Sequence, residues 1–275
     1  MSNNGKVILI TGASSGMGYE TAKLLATDGF CVYGAARRYE EITSLSTFGV
    51  RALYLDVTDE NSCRKCVDAV IQETGHIDVL INGAGYGSFG PVEAVTMEKA
   101  RRQFDVNFFG LMLMTRMVLP YMRKQGKGRI INISSVGGRF TSHFGSLYHA
   151  SKYAVESLSD GLRMELEGFG IEVVIIEPTG TRTAWGHIAA NHLEDSGRGT
   201  VYESQTAVSA ARMRKVIENH FLFTNVNTIT RVICRAVKSR HPKVRYVAGV
   251  SGWFMILGRK LLPIKWFDSI AKKVI

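Results

Sequence analysis

Tyr148 and Lys152 stand four residues apart, and this pair could carry acid–base chemistry. A spacing of four places both side chains on one face of a helix, one turn apart. A phenol has a reference pKa of about 10, and a nearby ammonium group lowers that pKa toward the range in which protons are exchanged near neutral pH. Ser135, thirteen residues before Tyr148, could then donate a hydrogen bond to a substrate oxygen. An isolated Tyr-x-x-x-Lys spacing is usually a pair of surface residues, so a catalytic assignment depends on the other motifs of the chain.

A glycine-rich turn follows the first apolar run of the chain, with the sequence Thr11-Gly12-Ala13-Ser14-Ser15-Gly16-Met17-Gly18. Its pattern is G-x-x-x-G-x-G, which differs from the G-x-G-x-x-G dinucleotide fingerprint. Small residues here allow backbone N–H groups at a helix N-terminus to approach a pyrophosphate. A glycine turn that binds nothing is the alternative, but its position after the first predicted strand favours nucleotide binding.

The end of the second predicted strand indicates which dinucleotide is bound. A chain that binds NAD has an acidic residue here, which accepts hydrogen bonds from the ribose hydroxyls. This chain has Ala35-Ala36-Arg37-Arg38 instead, and two guanidinium groups could pair with a 2′-phosphate. The alternative is two solvated arginines at the start of a helix, where positive charge is mildly unfavourable. The sequence therefore predicts NADP(H) as the cofactor.

Short apolar runs rich in β-branched residues alternate with longer amphipathic stretches along the first 180 residues. This alternation predicts a doubly wound α/β fold with a parallel sheet, whose ligands bind beyond the carboxyl ends of the strands. The predicted strands lie at residues 6–11, 31–35, 51–55, 79–82, 129–134 and 172–176. The predicted helices run from the glycine turn to about residue 29 and over residues 59–74, 97–125 and 146–168.

After Pro178 the alternation stops. Residues 180–222 lack strand signals and are predicted to form a substrate lid. A helix at 228–238 and a short strand at 243–247 are expected to complete the sheet. We predict one catalytic domain over residues 1–250 and a basic amphipathic C-terminal tail over residues 251–275.

These motifs resemble those of the short-chain dehydrogenase/reductase family over residues 5–185. The resemblance rests on the glycine turn, the Asn-x-Ala-Gly segment at 82–85, Asn107, Ser135 and Tyr148-x-x-x-Lys152. It implies a Rossmann fold and an NADP(H)-dependent oxidoreductase that interconverts a carbonyl and an alcohol. By resemblance, Tyr148 donates the proton in reduction or accepts it in oxidation, and Lys152 holds the nicotinamide ribose and lowers the pKa of Tyr148. Ser135 orients the substrate oxygen, and Asn107 supports a water-linked proton relay.

The resemblance and the glycine turn together assign a set of residues to the cofactor, among which Asp56 is the expected adenine contact. The set comprises Gly12, Ser14, Ser15, Gly16, Met17, Gly18, Arg37, Arg38, Asp56, Val57, Asn82, Ala84, Gly85, Tyr148, Lys152, Pro178, Gly180, Thr181 and Thr183. Taken alone, Asp56 and the segment at 82–85 fit turn chemistry equally well. Two positions depart from the family pattern: Gly83 follows Asn82, and Thr179 separates Pro178 from Gly180. The second departure affects the assignment of Thr181 and Thr183 as contacts of the nicotinamide carboxamide.

Aromatic residues in the loops at the cofactor edge of the sheet are candidate walls of an apolar substrate pocket. We name Tyr86, Phe140 and Trp185 as substrate residues, with packing under the lid as the alternative. His143 is a further substrate candidate, with a solvated loop histidine as the alternative. The overall pattern is similar to that of hydroxysteroid and retinol dehydrogenases, which implies a lipophilic substrate such as a steroid, a retinoid or another apolar ketone or aldehyde. A non-catalytic NADP(H)-binding sensor or scaffold on the same fold is the alternative, although such a protein would be expected to lack the serine, tyrosine or lysine. No metal site is predicted, and Cys63-x-x-Cys66 lies inside a helix without a second ligand pair.

The basic excess is confined to the last quarter of the chain. The whole chain has 34 Lys+Arg and 24 Asp+Glu, of which residues 201–275 hold 14 and 3. The tail mixes Trp253, Trp266 and other apolar residues with lysine and arginine, so it could cover the pocket, form a subunit contact or lie on a membrane surface. Nucleic-acid binding is not expected, because no nucleic-acid module accompanies the charge. We expect a cytoplasmic enzyme with a small-molecule substrate, and the resemblance implies a homodimer or homotetramer.

Overall fold

A computed structural model describes residues 5–182, 184–217 and 223–274. Seven parallel strands form one sheet in the order β3-β2-β1-β4-β5-β6-β7. The strands are β1 (Val7–Thr11), β2 (Cys31–Ala36), β3 (Arg51–Tyr54), β4 (Val79–Asn82), β5 (Gly128–Ile133), β6 (Ile171–Pro178) and β7 (Arg245–Ala248). The predicted doubly wound α/β fold is confirmed, and every predicted strand is present within two residues of its expected ends.

Eleven α-helices accompany the sheet in the described residues. They are α1 (Gly16–Thr27), α2 (Tyr39–Thr43), α3 (Glu60–Thr74), α4 (Met97–Phe104), α5 (Gly110–Gln125), α6 (Ser146–Leu166), α7 (Ala184–Gly197), α8 (Glu203–Ile217), α9 (Val226–Lys238), α10 (Val250–Leu261) and α11 (Ile264–Val274). Helices α7 and α8 occupy the segment predicted as a lid, and α10 and α11 occupy the predicted tail. In the described ranges, no helix is both long enough and apolar enough to cross a bilayer.

Alternate side chains of each central strand pack on opposite faces of the sheet. On one face, Ile8 and Ile10 of β1 belong to a buried cluster with residues of α1 and α9. On the other face, Val7 and Leu9 belong to a second buried cluster with residues of α3, α5 and α6. Burial on both faces explains why the strands are continuous apolar runs.

The strand order reverses at β1, which pairs with β2 on one side and β4 on the other. Ligands of open α/β sheets bind at such a switch point, beyond the carboxyl ends of the strands. In this chain, that position is occupied by the glycine turn after β1 and the segment that follows Asn82 at the end of β4.

The long helix predicted over residues 97–125 differs from the observed structure. Helix α4 ends at Phe104, a π-helical turn covers Asp105–Phe109, and α5 begins at Gly110. A π-turn inserts one extra residue per turn, so it rotates the side chains that follow it relative to a continuous α-helix. Asn107 lies inside this turn.

Candidate active site

One cavity of about 850 Å³ extends from the glycine turn to α6, α7 and the C-terminal helices. Most of the residues predicted to bind cofactor, together with three of the four predicted substrate residues, line its wall. The cofactor candidates on the wall are Gly12, Ser14, Ser15, Gly16, Met17, Gly18, Arg37, Arg38, Asp56, Val57, Ala84, Gly85, Tyr148, Lys152, Pro178, Gly180 and Thr181. Thr183 lies outside the described residues.

The glycine turn is held tightly against the two neighbouring strands. The Gly12 amide donates a hydrogen bond to the Ala35 carbonyl (2.8 Å), and Gly12 adopts a φ of 74°. A Cβ at Gly12 would lie 2.8 Å from the Ala84 backbone, and a Cβ at Gly18 would collide with the Gly12 carbonyl oxygen. Because α1 begins at Gly16 and Ser15 provides no side-chain cap, the first amides of this helix are available to a ligand in the cavity.

Arg38 is joined to the glycine turn by its side chain. Its Nη2 donates to the Ser15 Oγ (2.9 Å) and the Ser14 Oγ (3.2 Å). Arg37 also lines the cavity, and its charge acts on Asp56. This part of the wall therefore presents two guanidinium groups and two hydroxyls.

Asp56 is a fixed carboxylate beside this basic corner. Its Oδ1 accepts hydrogen bonds from the Thr58 amide (3.0 Å) and the Thr58 hydroxyl (2.8 Å), and Arg102 is 3.8 Å from its Oδ2. Burial raises the pKa of Asp56, but the Thr58 hydrogen bonds and the charges of Arg102 and Arg37 outweigh it and hold the pKa below its ordinary value. Asp56 is thus a carboxylate at neutral pH.

The Asn82 side chain does not line the cavity. Its Nδ2 donates to the Thr115 Oγ1 (3.1 Å) and the Asn132 Oδ1 (2.9 Å), and Asn132 in turn donates to the Ser159 Oγ (2.9 Å). These buried amide contacts connect the ends of β4 and β5 to α5 and α6. The sequence predicted that Asn82 lines the cofactor cavity. In the structure its side chain instead forms hydrogen bonds behind the wall and holds the wall in position.

Ser135 and Tyr148 meet in the middle of the cavity. The Ser135 Oγ accepts a hydrogen bond from the Gly137 amide (3.0 Å) and donates one to the Pro178 carbonyl oxygen (3.5 Å), and its hydroxyl acts on the pKa of Tyr148. Burial raises the pKa of Tyr148 to about 12, opposed by the hydrogen bond with Ser135. The phenol is therefore protonated at neutral pH. The expectation that Lys152 lowers this pKa is not met, because burial dominates and Lys152 is not among the groups that act on Tyr148.

Lys152 lies one turn after Tyr148 on α6 and is almost fully buried. Its Nζ donates to the Ile133 carbonyl oxygen at the end of β5 (2.9 Å). Burial lowers the pKa of Lys152 to about 8, while the negative charge of Glu156 acts in the opposite direction. Near pH 7 the ammonium form predominates, and it is fixed at the cavity wall.

Asn107 connects the π-turn to the segment after β4. Its Nδ2 donates to the Tyr86 carbonyl (2.9 Å) and the Ser151 Oγ (3.0 Å), and its Oδ1 accepts from the Tyr86 amide (3.0 Å). A Cβ at Gly85 would lie 3.1 Å from the Asn107 Oδ1 and 3.7 Å from the Lys152 Nζ. Asn107 and Lys152 therefore approach each other across Gly85, although the Asn107 side chain is not part of the cavity wall.

Aromatic and aliphatic side chains enclose the cavity around Tyr148. The Tyr148 ring centroid is 5.4 Å from that of Trp185 and 5.5 Å from that of Phe89. Of the predicted substrate residues, Tyr86, Phe140 and Trp185 line the wall. His143 does not, because it stacks on Phe144 with ring centroids 3.7 Å apart. The sequence did not identify further apolar wall residues, among them Phe89, Met213, Val216 and Met255.

His149, another wall residue that sequence reasoning missed, fixes the loop that carries Ser135. Its Nδ1 is 2.8 Å from the Gly137 carbonyl oxygen, so Nδ1 carries the proton, and its Nε2 accepts from the Ser142 Oγ (2.8 Å). Burial lowers the pKa of His149 to about 4, so the ring is neutral. Its only sequence signal is its place next to Tyr148, since both partners belong to the preceding loop.

A partly buried ion network lies one turn beyond Lys152. Arg245 of β7 contacts Glu156 through Nε (3.2 Å) and Asp160 through Nη2 (2.5 Å), and Arg139 contacts Glu177 (2.9 Å). Burial raises the pKa of Glu156, and the nearby charge of Glu177 acts in the same direction. The network couples α6, which carries Tyr148 and Lys152, to β6 and the edge strand.

Cys63 and Cys66 are buried in α3 as free thiols. Burial raises the pKa of each thiol to about 12, so neither is a thiolate at neutral pH. In the ranges that the structure describes, no three His, Cys, Asp or Glu side chains are grouped so that they could hold a metal ion.

A family model described as short chain dehydrogenase matches residues 6–192 of this chain. The chain is 39% identical to a 3-ketodihydrosphingosine reductase from Bacteroides thetaiotaomicron, over 89% of this chain and 88% of that protein. A solved short-chain dehydrogenase from Streptomyces avermitilis is 32% identical, with a TM-score of 0.80 over 94% of this chain and 92% of its own. A short chain dehydrogenase/reductase from Burkholderia phymatum, solved in complex with NAD, has the same fold at 22% identity, with a TM-score of 0.82 over 94% of each chain.

Proposed function

This chain belongs to the short-chain dehydrogenase/reductase family, and on that premise we propose that it is an NADP(H)-dependent oxidoreductase that interconverts a carbonyl and an alcohol. The observation that carries the proposal is the meeting of Ser135, Tyr148 and Lys152 at one wall of a cavity that also includes the glycine turn. The substrate that we propose is lipophilic, such as a steroid, a retinoid or another apolar ketone or aldehyde.

The residues of the cavity fit a nicotinamide dinucleotide. The glycine turn leaves no room for side chains at Gly12 and Gly18, and the first amides of α1 are available to a pyrophosphate. The Burkholderia phymatum neighbour was solved with NAD, which supports this class of cofactor. We propose NADP(H) for this chain, because Arg37, Arg38 and the hydroxyls of Ser14 and Ser15 offer the charge and donors that a 2′-phosphate requires.

The protein residues supply the acid and the positioning for carbonyl reduction. The protonated phenol of Tyr148 can donate its proton to the carbonyl oxygen, and Ser135 can hold that oxygen by a hydrogen bond. When bound, the reduced nicotinamide supplies the hydride. The Lys152 ammonium would hold the cofactor ribose and stabilise negative charge that develops on Tyr148. Asn107 keeps the Tyr86 segment beside Lys152.

The apolar wall supports a lipophilic substrate. Trp185 and Phe89 pack against Tyr148, while Met213 and Met255 close the cavity from the lid and tail helices. A small polar ketone would leave much of this wall in contact with water, which favours larger apolar substrates. The relative from Bacteroides thetaiotaomicron is named as a reductase of 3-ketodihydrosphingosine, so we include this ketone among the candidates.

Tyr148→Phe tests the mechanism, and Tyr153→Phe on the exposed side of the same helix is the matched control. NADPH oxidation is measured over a panel of steroids, retinoids, long-chain ketones and small ketones, and NADPH affinity is measured separately. We expect Tyr148→Phe to lower turnover by about 10²-fold or more at nearly unchanged NADPH affinity, because only the proton donor is lost. Full turnover in Tyr148→Phe would contradict the proposal. NADPH binding by the wild type without turnover of any carbonyl in the panel would favour the alternative, a sensor or scaffold.

We further propose that the chain works as a homodimer or homotetramer in the cytoplasm and that its tail makes peripheral membrane contact. Its four cysteines, Cys31, Cys63, Cys66 and Cys234, are free, as is usual in a reducing compartment. Residues 201–275 hold the whole excess of Lys+Arg over Asp+Glu, and this local positive charge supports an anionic partner surface rather than a neutral one.

A further inference from the structure

The outward face of α10 is apolar. Val250, Trp253, Phe254, Leu257 and Leu261 recur at helical spacing and are all more than half exposed, Trp253 by 62%. Helices on protein surfaces normally direct their charged side to water and their apolar side to the core. This helix therefore presents to the outside the kind of face that other helices bury.

Helix α11, which contacts α10, also exposes apolar side chains. Ile264 and Trp266 are 61% and 67% exposed, whereas Phe267 and Ala271 of the same helix are buried against Phe140 and its neighbours. We name the exposed apolar residues Val250, Trp253, Phe254, Leu257, Leu261, Ile264 and Trp266 the tail surface.

Cations border the tail surface. Lys260 and Lys265 are exposed on either side of the turn between the two helices, and Lys272 is exposed further along α11. Asp268 is the one acidic residue in the sequence from 250 to 275. An apolar, tryptophan-bearing face with a lysine border is typical of helices that lie in the interface of a membrane with anionic lipids.

The opposite sides of the same helices form part of the cavity wall. Ser251, Gly252 and Met255 of α10 and Ala271 of α11 line it. A surface bound by the tail would therefore lie one helix thickness from the substrate cavity. This arrangement suits a substrate that partitions into a bilayer.

We propose that the tail surface docks on a bilayer containing anionic lipids and that apolar substrate enters the cavity from that bilayer. The first half of this statement develops the membrane contact proposed above, and the second half rests on the proposed oxidoreductase function. A second copy of the chain is a poorer occupant, because a two-fold interface would bring each tail surface against itself. Lys260 and Lys265 of one copy would then approach the same cations of the other, whereas anionic headgroups neutralise them.

Vesicle flotation of the full-length protein tests the docking. The wild type is expected to bind vesicles of phosphatidylcholine with phosphatidylglycerol and to be released by high salt. Leu257→Ser should weaken binding about fivefold or more, and Lys260→Glu with Lys265→Glu should weaken it more than tenfold. The matched controls, Tyr54→Ser on the opposite edge strand β3 and Lys65→Glu on α3, should bind as the wild type does.

Several results would overturn the docking proposal. These are no vesicle binding by the wild type, equal binding to phosphatidylcholine alone, equal losses in the control variants, or a dimer in light scattering that Leu257→Ser converts to a monomer. The enzyme assay is read separately. Tyr148→Phe should keep vesicle binding while turnover is lost, and Leu257→Ser should keep turnover of a water-soluble ketone. If vesicles do not raise wild-type turnover of a bilayer-partitioned ketone, substrate entry from the membrane is wrong even where docking holds.

Discussion

The contact between Arg38 and the glycine turn leads to a quantitative prediction for cofactor choice. In Arg38→Ala, the cavity loses a guanidinium group that now donates to the hydroxyls of both Ser14 and Ser15. A 2′-phosphate bound at this corner would lose its charge-assisted hydrogen bonds with Arg38, whereas NAD(H) has no phosphate to lose them.

The size of the effect follows from the exposure of the site. A hydrogen bond to a charged group contributes about 1.5–3 kcal/mol, and the exposed position of Arg38 argues for the lower end of that range. We therefore expect the Kd of NADPH to rise about 10- to 30-fold in Arg38→Ala and that of NADH by less than about threefold. Arg37→Ala should act in the same direction, and its effect should be smaller because Asp56 already partly balances this charge.

Fluorescence titration with both dinucleotides at low and high salt measures this selectivity. Ser15→Ala is the matched control, because it removes one hydroxyl partner of Arg38 and keeps the guanidinium group. The ratio of NADPH to NADH affinity should fall in Arg38→Ala, fall by less in Ser15→Ala, which removes one neutral hydroxyl proposed for the phosphate, and decrease with salt in the wild type. Equal weakening of the two dinucleotides in Arg38→Ala, or a wild type that prefers NADH, would refute the assignment of the arginines to a phosphate.

Two further predictions concern α6 and the ion network behind it. Because burial lowers the pKa of Lys152 to about 8, its positive charge is present below that pH and is lost above it, so carbonyl reduction should decline as pH rises through about 8. Glu156→Gln removes a charge that raises this pKa, so the decline in kcat/KM should begin at lower pH; an unshifted profile would contradict the coupling. Arg245→Met leaves Glu156 and Asp160 without their shared cation and should cost about 2–3 kcal/mol of unfolding free energy in urea, a value reduced for partial exposure. A loss below about 0.5 kcal/mol would show that the network contributes little.

Local sequence patterns were sufficient to predict the strands of the sheet and the order of the motifs along the chain. Val7–Thr11 is buried on both faces, so its apolar run identifies a central strand without knowledge of its neighbours. The carboxyl ends of parallel strands meet at one edge, so the glycine turn, Arg37 and Ser135 could be assigned to a common cavity from their positions after strands. The family relationship confirms the resemblance that these motifs suggested.

The bonds that position the site join residues far apart in the chain, and the sequence does not reveal them. Asn107 forms a hydrogen bond with Tyr86, 21 residues away. It does so from a π-turn, which the hydrophobic periodicity of the sequence does not distinguish from a continuous α-helix. Arg245 bonds Glu156 across 89 residues. Asn82 was expected on the cofactor wall, but its partner Asn132 lies on the neighbouring strand in direct register, and only the strand order shows this.

The positive charge of the last quarter of the chain has two different uses in the structure. Lys238 pairs with Asp28 and Arg245 pairs with Glu156, so these cations connect α9 and β7 to the rest of the fold and would be needed in any compartment. Lys260 and Lys265 instead stand exposed beside an apolar helix face. A net charge computed from sequence adds these groups together, although only the second kind can attract an external anionic surface. The burial pattern of α10 separates the two kinds, because it shows which cations border an exposed apolar face.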